Sequence, residues 1–303
     1  MFSKILVPLD GSTEAESALP LLRSLARRLS IPVELLGVID LREICRTMSA
    51  AEALFLDRLL EDQSRHNAKY LGKISQALNG VDVTIRDEKG EAAEVIVETA
   101  AADKNTLIVM ATHGRSGLNR FLLGSVAEKV LHATVNPLLL VKVTEPIVTE
   151  GEAPLTSIVV PLDGSDLAEA VLPAVTDLAR KLDLEVVLVR AYAIPYGAYS
   201  TGDGIYDPVN LEAFLDRLRK ETFEYLERTA TGLKRNGVAK VSFVAKEGLS
   251  ADEIIKFARE TPANLVAMST HGRSGVTRWV LGSVAETVVR HSGDPVLVLR
   301  AGT

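Results

Sequence analysis

The chain has 303 residues, of which 47% are hydrophobic and 24% charged, a composition that suits two globular cores of roughly 150 residues each. A net charge of −6 argues against nucleic acid or an anionic membrane as a broad electrostatic partner. The single Cys45 excludes an intramolecular disulfide framework and fits a reducing cytoplasm, and no stretch approaches the roughly 20 apolar residues of a bilayer span.

The N-terminal MFSKILVPLDG has too short an apolar run for a secretory signal. Its KILVPL (4–9) predicts a strand that stops at Asp10-Gly11-Ser12. A helix follows, with Thr13 and Glu16 at capping-box spacing; Asp166 and Glu169 repeat the arrangement. Pro20 and Pro173 fall past the first turn and predict a kink or break. Next come a strand at 33–39, a long helical region at about 50–79, a strand at 81–87 and a helix at 91–102. TLIVMAT (106–112) is the fourth strand, a helix starts at Ser125, and PLLLVKV (137–143) closes the series. Apolar strands separated by helices indicate a parallel sheet covered on both faces.

The series then repeats. THGRSGLNRFLLGSVAE (112–128) returns as THGRSGVTRWVLGSVAE (270–286), identical at 13 of 17 positions, and VPLDGS returns at 160–165. A period this long is a duplicated domain. The domains are expected at 1–145 and 155–303, joined by a polar, Pro/Gly-containing linker. The second copy carries an insert at 196–210, read as a loop over the carboxyl edge of its sheet, either solvent-exposed or a lid.

The passage from Met110 to Ser125 carries the chemistry. Gly114 and Gly124 lack Cβ and let a ligand approach the backbone. The first turn of the helix offers unpartnered N–H groups and the positive end of a dipole, which together suit phosphate. Ser125 can add a hydroxyl, and Arg115 and Arg120, matched by Arg273 and Arg278, can add charge. The competing reading is tight turns and a helix cap. Asp10 and Asp163 could face the same crevice if strands one and four are neighbours, accepting from ribose hydroxyls. They could equally be turn residues, and local sequence does not choose. His113 and His271 could contact phosphate or pin the loop. No cluster has zinc-ligand spacing, so a divalent ion such as magnesium would arrive with the nucleotide.

MATHGRSGLNRFLLGSVAEKV together with VPLDGS resembles the universal stress protein family in its tandem two-domain form, over nearly the whole chain. The ATP-binding subgroup of that family carries Gly, two residues, Gly, nine residues, then Gly-Ser or Gly-Thr. The chain matches at Gly114 and Gly272 and at Gly124-Ser125 and Gly282-Ser283, and departs at the first glycine, which is Ala111 or Ser269. The resemblance implies Rossmann-like α/β domains of five parallel strands in the order 3-2-1-4-5, with the last strands pairing into an intrachain pseudo-dimer. A further homodimer is compatible with it. It implies that Asp10 and Asp163 hold the ribose, that Val38 and Ala191 offer backbone groups to adenine, and that Met110 and Met268 line the base. Pro8, Leu9, Pro161 and Leu162 flank that pocket. Ala111, His113, Gly114, Arg115, Gly124, Ser125 and Val126 surround the phosphates, as do Ser269, His271, Gly272, Arg273, Gly282, Ser283 and Val284. Three functions are carried: an ATP-dependent regulatory module of a stress response, a slow ATPase or phosphotransferase, and a nucleotide-free scaffold. The first is favoured, because the chain has no Walker A lysine, no separate acidic magnesium signature and no evident base for water.

Overall fold

The computed structural model describes residues 2–41, 44, 56–113, 123–144, 146–193, 208–270 and 282–301. The first half runs β1 (Lys4–Pro8), α1 (Thr13–Glu16), α2 (Leu19–Leu29), β2 (Val33–Ile39), α3 (Leu56–Ala77), β3 (Val83–Lys89), α4 (Ala92–Ala101), β4 (Thr106–Ala111), α5 (Ser125–Ala133) and β5 (Leu138–Val141). The second half repeats this as β6 (Ser157–Pro161), α6 (Asp166–Glu169), α7 (Leu172–Leu182), β7 (Glu185–Tyr192), α8 (Pro208–Arg235), β8 (Val241–Glu247), α9 (Ser250–Glu260), β9 (Asn264–Thr270), α10 (Ser283–His291) and β10 (Val296–Arg300).

The strands form one ten-stranded sheet, β3-β2-β1-β4-β5-β10-β9-β6-β7-β8. Each half is parallel and has the expected order 3-2-1-4-5. The halves meet where β5 and β10 pair antiparallel, with Leu297 opposite Leu139. Alternation sends successive side chains to opposite faces. Ile5 and Val7 therefore pack under α1, α2 and α3, whereas Leu6 packs under α4 and α5. Both cores run unbroken across the seam: Leu139 and Leu297 share one, Leu140 and Val298 the other.

The proline break occurs as expected. α1 ends at Glu16, and α2 starts afresh at Leu19 with Pro20 in its first turn, where a missing N–H costs nothing. The capping box does not form. Thr13 is the first helical residue, and the cap is Ser12, in extended conformation, whose hydroxyl accepts from the Ala15 N–H at 3.1 Å. Ser165 caps α6 in the same way, so Asp166 is helical rather than a cap. The end of the insert is also corrected: 208–210 belong to α8, because proline is at home at a helix start, and the rest of the insert lies outside the described residues.

Two cations tie the seam across the pseudo-dyad. Arg300 Nε donates to the Thr134 carbonyl at 2.5 Å and Nη2 to that of Leu131 at 2.8 Å, at the carboxyl end of α5. Burial lowers the Arg300 pKa to about 10. Lys142 Nζ donates to the Arg290 carbonyl in the last turn of α10 at 3.2 Å, and burial lowers its pKa too. Each cation meets the negative end of the opposite half's helix.

The linker is fastened to α2. Arg23 Nη1 donates to the Thr149 carbonyl at 2.6 Å and to that of Gly151 at 3.1 Å. Ala153 donates its N–H to the Pro20 carbonyl at 3.0 Å, and its carbonyl accepts from the Ser24 hydroxyl at 2.8 Å. Arg27 pairs with Glu152.

Candidate functional site

Winding reverses between β1 and β4, because β2 and β3 lie on one side of β1 and β4 and β5 on the other. This is where an open α/β sheet leaves a crevice at its carboxyl edge. The register runs Pro8↔Leu36 toward β2 and Leu6↔Ile108 toward β4. Continued past the strand end, it puts Asp10, Val38 and Thr112 in one row. In the second half, Pro161↔Val189 and Val159↔Val266 put Asp163, Ala191 and Thr270 in the same row. Both predicted ribose and adenine positions thus lie side by side at the reversal point.

Asp10 does the work of a turn residue. Its Oδ1 accepts from the Ser12 N–H at 2.9 Å and from the Ser12 hydroxyl at 2.5 Å, and that hydroxyl caps α1. Asp163 repeats this with Ser165 at 2.8 and 2.6 Å. These bonds use one carboxylate oxygen, and both aspartates are exposed at the edge. Ser12→Ala is expected to cost about 1 kcal/mol of stability, measured by urea denaturation, through loss of the α1 cap.

Gly124 closes the loop. Its N–H donates to the Thr112 carbonyl at 2.7 Å, joining the end of β4 to the start of α5. A Cβ there would stand 2.9 Å from that same carbonyl oxygen. Gly124 is also the cap residue of α5, with no side-chain capping bond, and Ser125 is the first helical residue and exposed. Gly282 and Ser283 open α10 in the same manner. Among the described residues neither helix start receives a side-chain cap, the condition an anion site needs. Val126 and Val284 are half-buried behind them, against the core.

His113 Nδ1 lies 3.1 Å from the Thr112 hydroxyl, a contact within the loop. Met110 and Met268 are core residues, 7% and 6% exposed, on the α4–α5 and α9–α10 side of the sheet. Ala111 is buried. Ser269, at the other departure from the family glycine, donates its hydroxyl to the Leu167 carbonyl of α6. Pro8 and Pro161 end their strands. The N–H groups of Leu9 and Leu162 donate to Leu36 at 2.9 Å and Val189 at 2.8 Å. Gly114, Arg115, Arg120, His271, Gly272, Arg273 and Arg278 lie outside the described residues, as does Cys45. Sequence reasoning passed over Thr112 and Thr270, buried threonines in the central row. Their signal was present: Thr-His-Gly stands in both copies. No group of His, Cys, Asp or Glu among the described residues could hold a metal ion alone. No helix there is long and apolar enough to cross a membrane.

The model of the universal stress protein family matches residues 1–142 and again 155–300. The chain belongs to the universal stress protein family, in tandem form. A universal stress protein of Methanocaldococcus jannaschii is 34% identical over 154 residues, covering 51% of this chain and 87% of that protein. One of Mycolicibacterium smegmatis is 25% identical over 305 residues, covering 98% of this chain and 96% of its own length. Among solved structures, a universal stress protein of Archaeoglobus fulgidus aligns with a TM-score of 0.70 at 21% identity, over 99% of both chains, which shows the shared fold.

Proposed function

We propose that this universal stress protein is an ATP-binding regulatory module of a cytoplasmic stress response, with a nucleotide site at each carboxyl-edge crevice of its two domains, 1–145 and 155–303. The observation that carries this reading is Gly124. Its N–H holds the start of α5 against Thr112, in the register row of Asp10, and a Cβ there would stand 2.9 Å from the Thr112 carbonyl oxygen, so only glycine lets the loop close this tightly over the helix start. In this reading Asp10 and Asp163 accept from the ribose hydroxyls. Backbone groups at Val38 and Ala191 meet adenine. Met110 and Met268, with Pro8, Leu9, Pro161 and Leu162, form the wall behind the base.

The phosphates lie on the backbone from Ala111 through His113, Gly114 and Arg115 to Gly124, Ser125 and Val126. In the second copy they lie on Ser269, His271, Gly272, Arg273, Gly282, Ser283 and Val284. Magnesium, where present, arrives with the nucleotide and neutralises phosphate charge. The module signals by occupancy: bound nucleotide sets the surface offered to a protein partner. Denaturing the purified protein and quantifying released nucleotide by chromatography and mass spectrometry is expected to give ATP, two per chain. No nucleotide, and no binding on adding ATP with magnesium, would refute the reading. Gly114→Asp should place a carboxylate at the phosphates of the first site, halving that stoichiometry while the circular dichroism spectrum stays unchanged.

A further inference from the structure

The two crevices differ in charge on one rung of the sheet. Gly37 and Arg190 hold the same place in their halves, one residue past the pairs Pro8↔Leu36 and Pro161↔Val189 and one residue before Val38 and Ala191. In the first half Gly37 pairs with Asp87 of β3. The Asp87 carboxylate accepts from the Ser64 hydroxyl at 2.6 Å and the Asn67 amide at 3.0 Å, both on α3, and a Cβ on Gly37 would stand 3.3 Å from Asp87 Oδ1. In the second half Arg190 pairs with Ala245 of β8. The rung next to the proposed adenine contact therefore carries a carboxylate in the first half and a guanidinium in the second.

The guanidinium is held in place from two sides. Its Cζ lies 4.7 Å from the centre of the Tyr225 ring, whose hydroxyl donates to Glu169 Oε1 at 2.8 Å. It also lies against Gly164, where a Cβ would stand 3.2 Å from Nη1 and 3.3 Å from Cζ and Nη2. Arg190 is thus half-buried beside the turn that carries Asp163. A ring face attracts the charge but does not use the five N–H donors as a carbonyl or carboxylate would. Among the described residues no such oxygen accepts from the Arg190 guanidinium. In an α/β crevice, an arginine near the ribose-binding carboxylate accommodates a phosphate on the ribose. We propose that Arg190 is a specificity-determining residue of the second site, which favours an adenine nucleotide whose ribose carries a further phosphate; this rests on the nucleotide reading of both crevices. ATP enters either site by the same contacts, and the added phosphate gains its fork of donors only at the second. At the first site the same phosphate meets the Asp87 carboxylate and is disfavoured.

The test is titration calorimetry on the full chain, dialysed free of nucleotide, with AMP, adenosine 2′,5′-bisphosphate and adenosine 3′,5′-bisphosphate. One site per chain is expected to bind one of the bisphosphates about tenfold or more tightly than AMP, through charge-assisted hydrogen bonds. The other site should show no such preference. Arg190→Leu should remove the preference, and Arg190→Lys, which keeps the charge without the planar fork, should retain about threefold. The ratio of the two affinities is taken within one variant, so partial misfolding after loss of the Tyr225 contact does not imitate the result. Two outcomes overturn the role of Arg190 while leaving the nucleotide reading in place. In one, ATP fills both sites but neither bisphosphate is preferred over AMP at either. In the other, Arg190→Leu keeps the preference. If ATP, AMP and both bisphosphates fail to bind, both readings fall together.

Discussion

Gly124→Val is expected to lower ATP affinity at the first site about tenfold or more and to destabilise the first half by about 1–3 kcal/mol. The cause is one distance. A Cβ at this position would lie 2.9 Å from the Thr112 carbonyl oxygen and 3.4 Å from His113 Cα, both backbone atoms that cannot swing aside. Either the Gly124 N–H leaves Thr112, or the loop between them moves; both shift the start of α5 relative to Asp10. Titration calorimetry should show the nucleotide stoichiometry fall toward one per chain, with the second site unaffected. Gly72→Ala is the control. It lies within α3 with nothing within 4 Å of the added Cβ, so it should leave binding unchanged and stabilise the helix by about 0.5–1 kcal/mol. Equal loss of ATP from both variants would remove Gly124 from the site.

Leu139→Ala is expected to cost about 2–5 kcal/mol, and Leu297→Ala a similar amount. The two residues face each other at the middle rung of the antiparallel pair, each 1% exposed. Because they share a cavity wall, the double variant should fall short of the sum by about 0.5–3 kcal/mol. Denaturant unfolding followed by tryptophan fluorescence and by far-ultraviolet circular dichroism would measure it. If the seam couples the halves, the wild type should unfold in one transition and the double variant in two. Additive losses with a single transition would mean that the halves are held together elsewhere.

How much of this was legible in the chain differs from element to element. β2 was read to the residue because Val33–Ile39 is apolar and bounded by Pro32 and Asp40. The break at Pro20 followed from a missing N–H and was found where expected. The cap was displaced by one residue. Thr13 and Ser12 are both good caps, and only the extended backbone at Ser12 decides between them. Asp10 could not be assigned from sequence, since a turn carboxylate and a ribose acceptor leave the same Asp-Gly-Ser behind. The structure adds the turn bonds, and the register adds the neighbours Val38 and Thr112. The seating of the linker was invisible for a different reason. Nothing local in the sequence reveals that carbonyls from 126 and 128 residues away complete Arg23. The motif's central glycines, by contrast, were conspicuous in sequence and lie outside the described residues.

Because β5 and β10 run in opposite directions, the strands of the two halves point opposite ways through one sheet. The two crevices consequently open at opposite poles of the molecule. A protein seated over one pole inspects one site and is blind to the other. On the proposed function the chain has four distinguishable filling states, and each end offers itself to a different reader. On the proposed function, coupling between the poles runs through contacts that join the halves, the shared leucine layers and the Arg300 and Lys142 bonds among them, so a substitution at the seam would alter cross-talk.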